Sequence, residues 1–533
     1  MNNYDAIVIG AGHNGLVTAA YLAKSGLSTV VLERSSTPGG CAATEELWPG
    51  YHVDTGAHSF TGIDQRVLSD LQLSSGELEI LSPDPVLISP QHGGRTLTLH
   101  HEPAKSAQSI QPFSDRDAAR WPEFLEAMSS ATRVLEVLYE TLPPRLAKAN
   151  KGDLWELARL AGRLGRVGRK DALELMRLIP MTVEELLDEW FESDALKGTL
   201  ATSGITGICQ GPMASGTAYL LLHSLVGGGG VVRHRSQLRG GMRALGTALQ
   251  QAAVRFGAEV RLSSPVASIR IKERCATGVS LESGEDLEAR VVVSSIDPAQ
   301  TFLRMIDPTE LNPEFVRAVK NIKYRGVCAK VHLALDDAPV FGRGEGNETQ
   351  NAVLQGASII IAPSIEYLER AYDDAKYGES SKAPYVDAVV TTALDPSLAP
   401  EGNHILSAVV QYAPFKLKTG NWGESRREIL RDSVIDTLST YAPNLRDTII
   451  HCHVLTPADI ADRFALTEGN IYQGEMTLDQ IFMMRPAPGW GRYQTPVEGL
   501  YLCGASAHPG GGLTARPGMA AARVILSHST KNR

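Results

Sequence analysis

The chain has 533 residues, 43% hydrophobic and 21% charged, with a net charge of −9. At about 150 residues per domain this is mass for three to four domains, and such ordinary soluble usage excludes collagen-like, wholly disordered and polytopic membrane classes. The acidic balance offers no basic field for nucleic acid, and six cysteines without a C-x-x-C pair exclude a disulfide scaffold or zinc ribbon.

Ala6–Ile9 reads as a short buried strand and Leu16–Lys24 as a helix, with Leu16, Ala19, Ala20 and Ala23 on one face and Gly26 as its stop. Thr29–Leu32 is the second strand. Between the first strand and the helix lies Gly10-Ala11-Gly12-His13-Asn14-Gly15, a G-x-G-x-x-G turn. Gly10 permits the tight turn, Gly12 lets backbone approach a pyrophosphate, and Gly15 allows close helix–strand packing. Glu33 ends the second strand 18 residues after Gly15, where a carboxylate accepts from ribose hydroxyls. This unit predicts a dinucleotide site without separating NAD from FAD. Pro38-Gly39-Gly40 and Tyr51-x-Val53-Asp54-x-Gly56 follow, and a second glycine pair suits a cofactor that runs on past its pyrophosphate, as FAD does.

Residues 70–110 read as short strands and turns, and Asp115 to Lys197 as helices. Arg145–Lys170 carries eight basic residues against Asp153 and Glu156. Arg159, Arg163, Arg166 and Lys170 share a helical face beside Leu157, Leu160, Leu164 and Val167, which suits contact with anionic lipid. Gly162, Gly165 and Gly168 weaken that helix, and a surface helix pairing with the acidic segment Asp171–Asp194 is the competing reading. Gly198–Val232 has no Asp, Glu, Lys or Arg, but Pro212 and its glycines interrupt it; it reads as a buried, cavity-lining segment rather than a membrane span. Met1–Asp5 lacks the positive region of a signal peptide, so a cytoplasmic setting, with or without peripheral membrane contact, is expected.

A second α/β pattern starts near Gly240, with a helix at Met242–Phe256 and strands at Glu259–Leu262, Val266–Ile271, Gly278–Leu281 and Arg290–Ser294. Residues 300–480 mix helices and strands. Gly342-Arg343-Gly344-Glu345-Gly346 reads as a polar turn, so no second dinucleotide unit is evident and electrons are expected to leave to oxygen or a quinone. His451-Cys452-His453 reads as ordinary strand, and no metal is expected. Near the C-terminus a strand at Gly499–Cys503 leads into Gly504, then His508-Pro509-Gly510-Gly511-Gly512, then a helix at Gly518–Ser527. Small residues let backbone pass under a flat ring, and the helix start stabilises negative charge beside it.

Tyr4–Glu46, Gly240–Ile269 and Gly499–Ala522, with Leu196–Gly227, resemble the phytoene-dehydrogenase-related FAD oxidoreductases, which include carotenoid desaturases and ketolase-like and mitochondrial branches. The resemblance implies an α/β, glutathione-reductase-like (Rossmann-type) FAD-binding domain from residues 1–70, 231–300 and 481–533. It also implies an α+β substrate domain from 71–114 and 301–480, and a helical region, 115–230, facing substrate or membrane. Carried over, Gly10, Gly12, Gly15, Glu33, Arg34, Gly39 and Gly40 hold the ADP half, Val266 meets the adenine, and Gly504, Gly511, Gly512 and Leu513 follow the ribityl chain and flavin. Three departures stand out: Cys41 where many relatives have Arg, Ala505 where Asp is usual (with Ser506 as substitute donor), and Arg516-Pro517 in place of small residues.

His58 and His508 are the candidate catalytic groups near the ring. Arg516 is a third, pairing with a substrate carboxylate or reduced-flavin charge, unless it is a solvated surface arginine. Arg485, Trp490 and Tyr493 are candidates for the substrate wall. The expected activity is hydride transfer from a hydrophobic or extended small molecule to the flavin. The alternatives are amine-oxidase-like C–N oxidation, ketolation, isomerisation, or a flavin-free binding module of the Rab-escort and GDP-dissociation-inhibitor type.

Overall fold

The computed structural model describes residues 3–74, 76–144, 151–227, 235–342 and 348–529. Its first sheet is assembled from the three distant regions that carry the motifs. Asn3–Ile9 runs parallel to Thr29–Leu32 on one side and to Asp286–Ser294 on the other. Glu259–Arg261 extends the sheet beyond Thr29–Leu32, and Leu500–Leu502 pairs with the end of Asp286–Ser294. These five parallel strands read as apolar runs because layers cover both faces. Cys275–Leu281 and Val266–Lys272 add an antiparallel flank.

Three helices, His13–Lys24, Arg243–Arg255 and Arg516–Ser529, pack together through Leu16, Ala20, Leu245, Leu249, Met519 and Ala522, all fully or nearly fully buried. Alanines and glycines bring the first and last helices within backbone reach. Thr18 Oγ1 donates to the Gly518 carbonyl at 3.0 Å, and a β-carbon on Gly518 would lie 2.3 Å from the Asn14 carbonyl oxygen. The two ends of the chain are thereby locked into one layer.

A second sheet has the order Ile449–Leu455, Cys328–Leu335, His404–Gln411, Tyr385–Val390, Ser358–Ile361, Leu87–Pro90, Thr96–Leu99. Within it, Cys328–Leu335 and Tyr385–Val390 are buried along their whole length. His451 in its edge strand stacks on Trp48 with ring centroids 5.3 Å apart. Residues 70–110 supply two of its strands and also a helix, Pro103–Ile110, which the sequence reading took for turns. The helix buries only Ser106 and Ile110, too little to show an apolar period.

Residues 115–225 form a helical layer as expected, with one correction. Arg145–Lys170 is not one amphipathic helix. Residues 145–150 lie outside the described residues, and Gly168, at φ +125°, separates Lys151–Val167 from Arg169–Leu178. Lys170 therefore belongs to the next helix and leaves the arginine face, while Leu164 and Val167 turn onto the core. The helix Asp194–Ile205, which runs into the charge-free segment, and Thr217–Leu225 within it are largely buried. Among the described residues no helix is long and apolar enough to cross a membrane. Residues 343–347, most of the polar glycine run, lie outside the described residues.

Candidate functional site

The three glycines of the first turn answer to different constraints. Gly10 has φ +92°, a conformation that a β-carbon resists. A β-carbon on Gly15 would lie 2.1 Å from the Gly10 carbonyl oxygen, so the helix starts against the turn only without one. On Gly12 a β-carbon would meet nothing within 4 Å. The protein itself does not need glycine there, but a ligand approaching the backbone does. No side chain caps His13–Lys24, so its first N–H groups and the positive end of its dipole face the same open space.

Glu33 is buried. Its carboxylate accepts from the N–H of Ala11 at 2.7 Å and of Ser35 at 2.9 Å, which ties the turn to the strand end. A carboxylate with two N–H donors keeps acceptor capacity for ribose hydroxyls. The second glycine pair closes on the first. Gly39 N–H donates to the Ala11 carbonyl at 2.9 Å, and a β-carbon on Gly40 would stand 3.1 Å from Gly12 Cα.

A cavity of about 890 Å³ starts at this turn. It passes Glu33, Gly40 and Val266, reaches Gly512 and Leu513, and continues to Cys328 and Val409 on the second sheet and Phe415 in the loop beyond it. Gly512, like Gly12, has room before it: a β-carbon would meet only Thr514 Cγ2, at 3.8 Å. Gly504 and Gly511 do not line the cavity; they admit Gln473 and Tyr472 against the loop, with contacts of 2.4 and 2.1 Å to a β-carbon. Arg34 lines the cavity but gives its guanidinium to the carbonyls of Asp462 and Arg463, at the end of the helix Pro457–Phe464. Ser506 Oγ is buried without a hydrogen-bond partner among the described residues.

The far end of the cavity holds charges the sequence reading missed. Lys330 and Asp387 sit in wholly buried strands, opposite Val409 from its two sides, so the three form one row across the sheet. Lys330 Nζ donates to the carbonyls of Asp54 and Gly56, and burial lowers its pKa to about 8. Asp387 pairs with the buried Arg235. Burial pushes the Asp387 carboxyl up, but Arg235 outweighs this and holds it well below the usual carboxylate range. His58 Nε2 stands 3.6 Å from Asp387 Oδ1. A charged residue inside an otherwise apolar strand was the available signal. His13 also lines the cavity, its pKa lowered to about 4 by burial.

An open glycine turn at an uncapped helix start, a buried carboxylate beside it and a cavity shared with a second sheet suit a long nucleotide cofactor. The family profile "Flavin containing amine oxidoreductase" matches residues 15–525. The chain belongs to this family. Pyridine nucleotide-disulfide oxidoreductase domain-containing protein 2 of Rattus norvegicus is 34% identical, covering 98% of this chain and 93% of its own length. A limonene dehydrogenase chain of Castellaniella defragrans is 29% identical over 98% and 94%, and a phytoene desaturase (lycopene-forming) of a Paracoccus species 25% identical over 98% and 97%. The resemblance drawn from the terminal motifs is met. The chain is an FAD-dependent oxidoreductase and not a flavin-free binding module.

Two of the candidate catalytic groups do not reach the cavity of this flavin oxidoreductase. His508 is buried under Tyr139, edge to face with centroids 5.9 Å apart, and burial lowers its pKa to about 4. Arg516 is neither free for a substrate nor solvated. Its Nε donates to Asp64 at 2.9 Å, and Glu136 stands 3.8 Å away. An arginine this buried takes the carboxylates that its own fold offers. Trp490 packs on Phe315, and the Tyr493 hydroxyl donates to the His508 carbonyl at 2.8 Å, so both are core residues rather than substrate walls.

Arg485 is also internal. Its guanidinium donates to the carbonyls of Tyr472, Gly474, Glu475, Gln480 and Ala505, binding the 472–480 loop to the flavin-side loop. Arg485→Met is expected to leave those carbonyls unpaired and to cost about 3–5 kcal/mol, measured by urea unfolding. An unchanged unfolding midpoint would show that water replaces the guanidinium.

Proposed function

We propose that this oxidoreductase holds FAD with its diphosphate at Gly10, Gly12 and the start of the helix His13–Lys24, its adenosine ribose on Glu33 and its adenine beside Val266. Gly512 and Leu513 lie along its ring end. We further propose that it dehydrogenates an uncharged, largely apolar substrate. Bound FAD supplies a two-electron acceptor that takes a hydride. The protein supplies orientation and a dry compartment.

The observation that carries the choice of substrate is the Lys330–Val409–Asp387 row. Lys330, with a pKa near 8, is mostly a cation at neutral pH, and Asp387 is already neutralised by Arg235. At that end Lys330 and Arg235 already face Asp54 and Asp387, so among the described residues no carboxylate there is left unopposed for an ammonium substrate. The surrounding Thr206, Cys328, Val409, Phe415, Ile471 and Tyr472 offer mostly apolar surface. Relatives named for limonene and phytoene support the same class. Limonene and phytoene are therefore expected to bleach the visible flavin band of the FAD-loaded enzyme under anaerobic mixing, and primary amines are not; bleaching by amines alone would overturn this reading. Reoxidation is expected with oxygen or a quinone and without nicotinamide, and strict NAD(P)+ dependence would reject that part.

An apolar substrate favours pick-up from a membrane surface. Trp155, Leu173 and Met176 are among the most exposed large apolar side chains, at 66, 56 and 69%, on the helices that carry Arg159, Arg166, Arg169 and Lys170. Changing the three together to Ser is expected to weaken flotation with phosphatidylserine-containing vesicles about tenfold or more. Equal flotation of wild type and variant would end the membrane proposal.

A further inference from the structure

We propose that His58 takes up the proton that leaves the substrate as the bound FAD is reduced by two electrons, and that Asp387 is the positioning residue that orients its ring. This rests on the flavoenzyme reading above and addresses the half of dehydrogenation that reading leaves unassigned. When a C–C single bond becomes a double bond, one hydrogen leaves with both its bonding electrons. The substrate is oxidised by two electrons and FAD is reduced. The other hydrogen leaves as a proton, and its bonding pair becomes the new π bond. That proton needs a lone pair within the cavity, because closure excludes water.

His58 lines the cavity, and neither ring nitrogen has a hydrogen-bond partner among the described residues. Asp387 Oδ1, 3.6 Å from His58 Nε2, is likewise unpartnered. The other Asp387 oxygen is held by Arg235, so the carboxylate cannot turn away. With Nε2–H directed at Oδ1, the ring's lone pair is left on Nδ1. Lys330 fixes the backbone two residues earlier through the Gly56 carbonyl, at 2.9 Å. Such contacts are commonly long before substrate binds and tighten in the complex.

The neighbouring groups leave His58 as the available base. Asp387 is held far too acidic, Lys330 is mostly protonated, and burial pushes the Cys41 thiol up to about 12. Burial lowers the pKa of His58, Asp387 raises it, and Lys330 and Arg235 lower it further, so the ring is neutral before reduction. His332 is kept neutral by burial on the same strand as Lys330, and Asp54, on the preceding strand, accepts at Oδ1 from the Thr44 hydroxyl and the Met242 N–H and does not line the cavity. Negative charge arriving on the cofactor in the same low-dielectric cavity raises the affinity of His58 for a proton.

The test needs no natural substrate. FAD-loaded protein is reduced anaerobically with dithionite between about pH 5.5 and 8.5, and the protons taken up per two electrons are counted from the pH dependence of the midpoint potential. Wild type is expected to take up about one proton more than His58→Gln over part of this range. His451→Gln, a ring stacked on Trp48, is expected to match wild type, and Asp387→Asn to move the extra uptake to lower pH. Equal counts in wild type and His58→Gln would overturn the proposal. So would a wild-type count that shows no additional proton, whatever the variants do. A protein that takes up no FAD would instead sink the cofactor placement, a failure distinguishable from both.

Discussion

Gly12→Glu is expected to give a folded protein that no longer retains FAD, whereas Gly15→Ala is expected to lose the fold before it loses the cofactor. Both are glycines of one turn, and the contrast lies in what surrounds them. The space before Gly12 is open for 4 Å around a β-carbon, so a substitution there starts without a clash with the protein. It fills the approach to the helix N-terminus and places a carboxylate where the diphosphate belongs. Lost N–H contacts and like-charge repulsion together are expected to weaken FAD binding by at least about 100-fold, roughly 3 kcal/mol. At Gly15 even one methyl group would stand 2.1 Å from the Gly10 carbonyl oxygen and 3.0 Å from Ser295 Oγ, so the first helix must move off the first strand. That displacement is expected to cost about 3 kcal/mol or more, a large share of the ~5–15 kcal/mol that holds a domain folded. Flavin absorbance after FAD soaking and gel filtration, with urea unfolding alongside, separates the two. Stoichiometric FAD on Gly12→Glu would refute the diphosphate assignment.

This contrast also shows which parts of the site were legible in the sequence. Gly10, Gly12, Gly15 and Glu33 were readable because a backbone constraint and a ligand constraint act within one contiguous strand–turn–helix–strand unit. Gly504 and Gly511 were readable as glycines but not by role, because their neighbours, Gln473 and Tyr472, come from a loop about 30 to 40 residues upstream. The charged end of the cavity was readable only as single charges inside apolar strands, not as a site. Lys330 and Asp387 share a row only because Cys328–Leu335 and Tyr385–Val390 flank His404–Gln411 in antiparallel register, and Arg235 reaches Asp387 from a separate segment. Each looked like a lone charge in its own segment. Arg516 failed for the same reason in reverse: its local context suggested a ligand, while its partners Asp64 and Glu136 lie on separate segments. The helix Pro103–Ile110 buries too little to show a period, and the break at Gly168 is set by one residue's positive φ.

The buried Arg235–Asp387 pair is expected to give the largest stability effect of any exchange in the cavity. Arg235→Met and Asp387→Leu are each expected to cost about 3–5 kcal/mol, and the double variant to recover most of that loss. The reason is an asymmetry in burial. Side-chain exposures are 2% and 6%, so removing either partner strands the other charge away from water. Removing both leaves an apolar contact beside Val409. The pH dependence separates this from a simple cavity effect. In wild type Asp387 is depressed below its unfolded value of about 4, so its contribution is complete above that pH and is lost as pH falls through the lower folded value. In Arg235→Met the dominant acidifying partner is gone, and burial, opposed by His58, raises the Asp387 pKa. The sign then reverses: Asp387 penalises the folded state increasingly as pH rises from its unfolded towards its folded pKa, so the variant gains stability relative to wild type as pH falls through that range. Urea midpoints of the four proteins at about pH 4 and 7 test this directly, with the coupling energy taken from the cycle. Additive losses, or parallel pH slopes in wild type and Arg235→Met, would show that water reaches the pair, and would remove the fixed carboxylate on which the orientation of His58 depends.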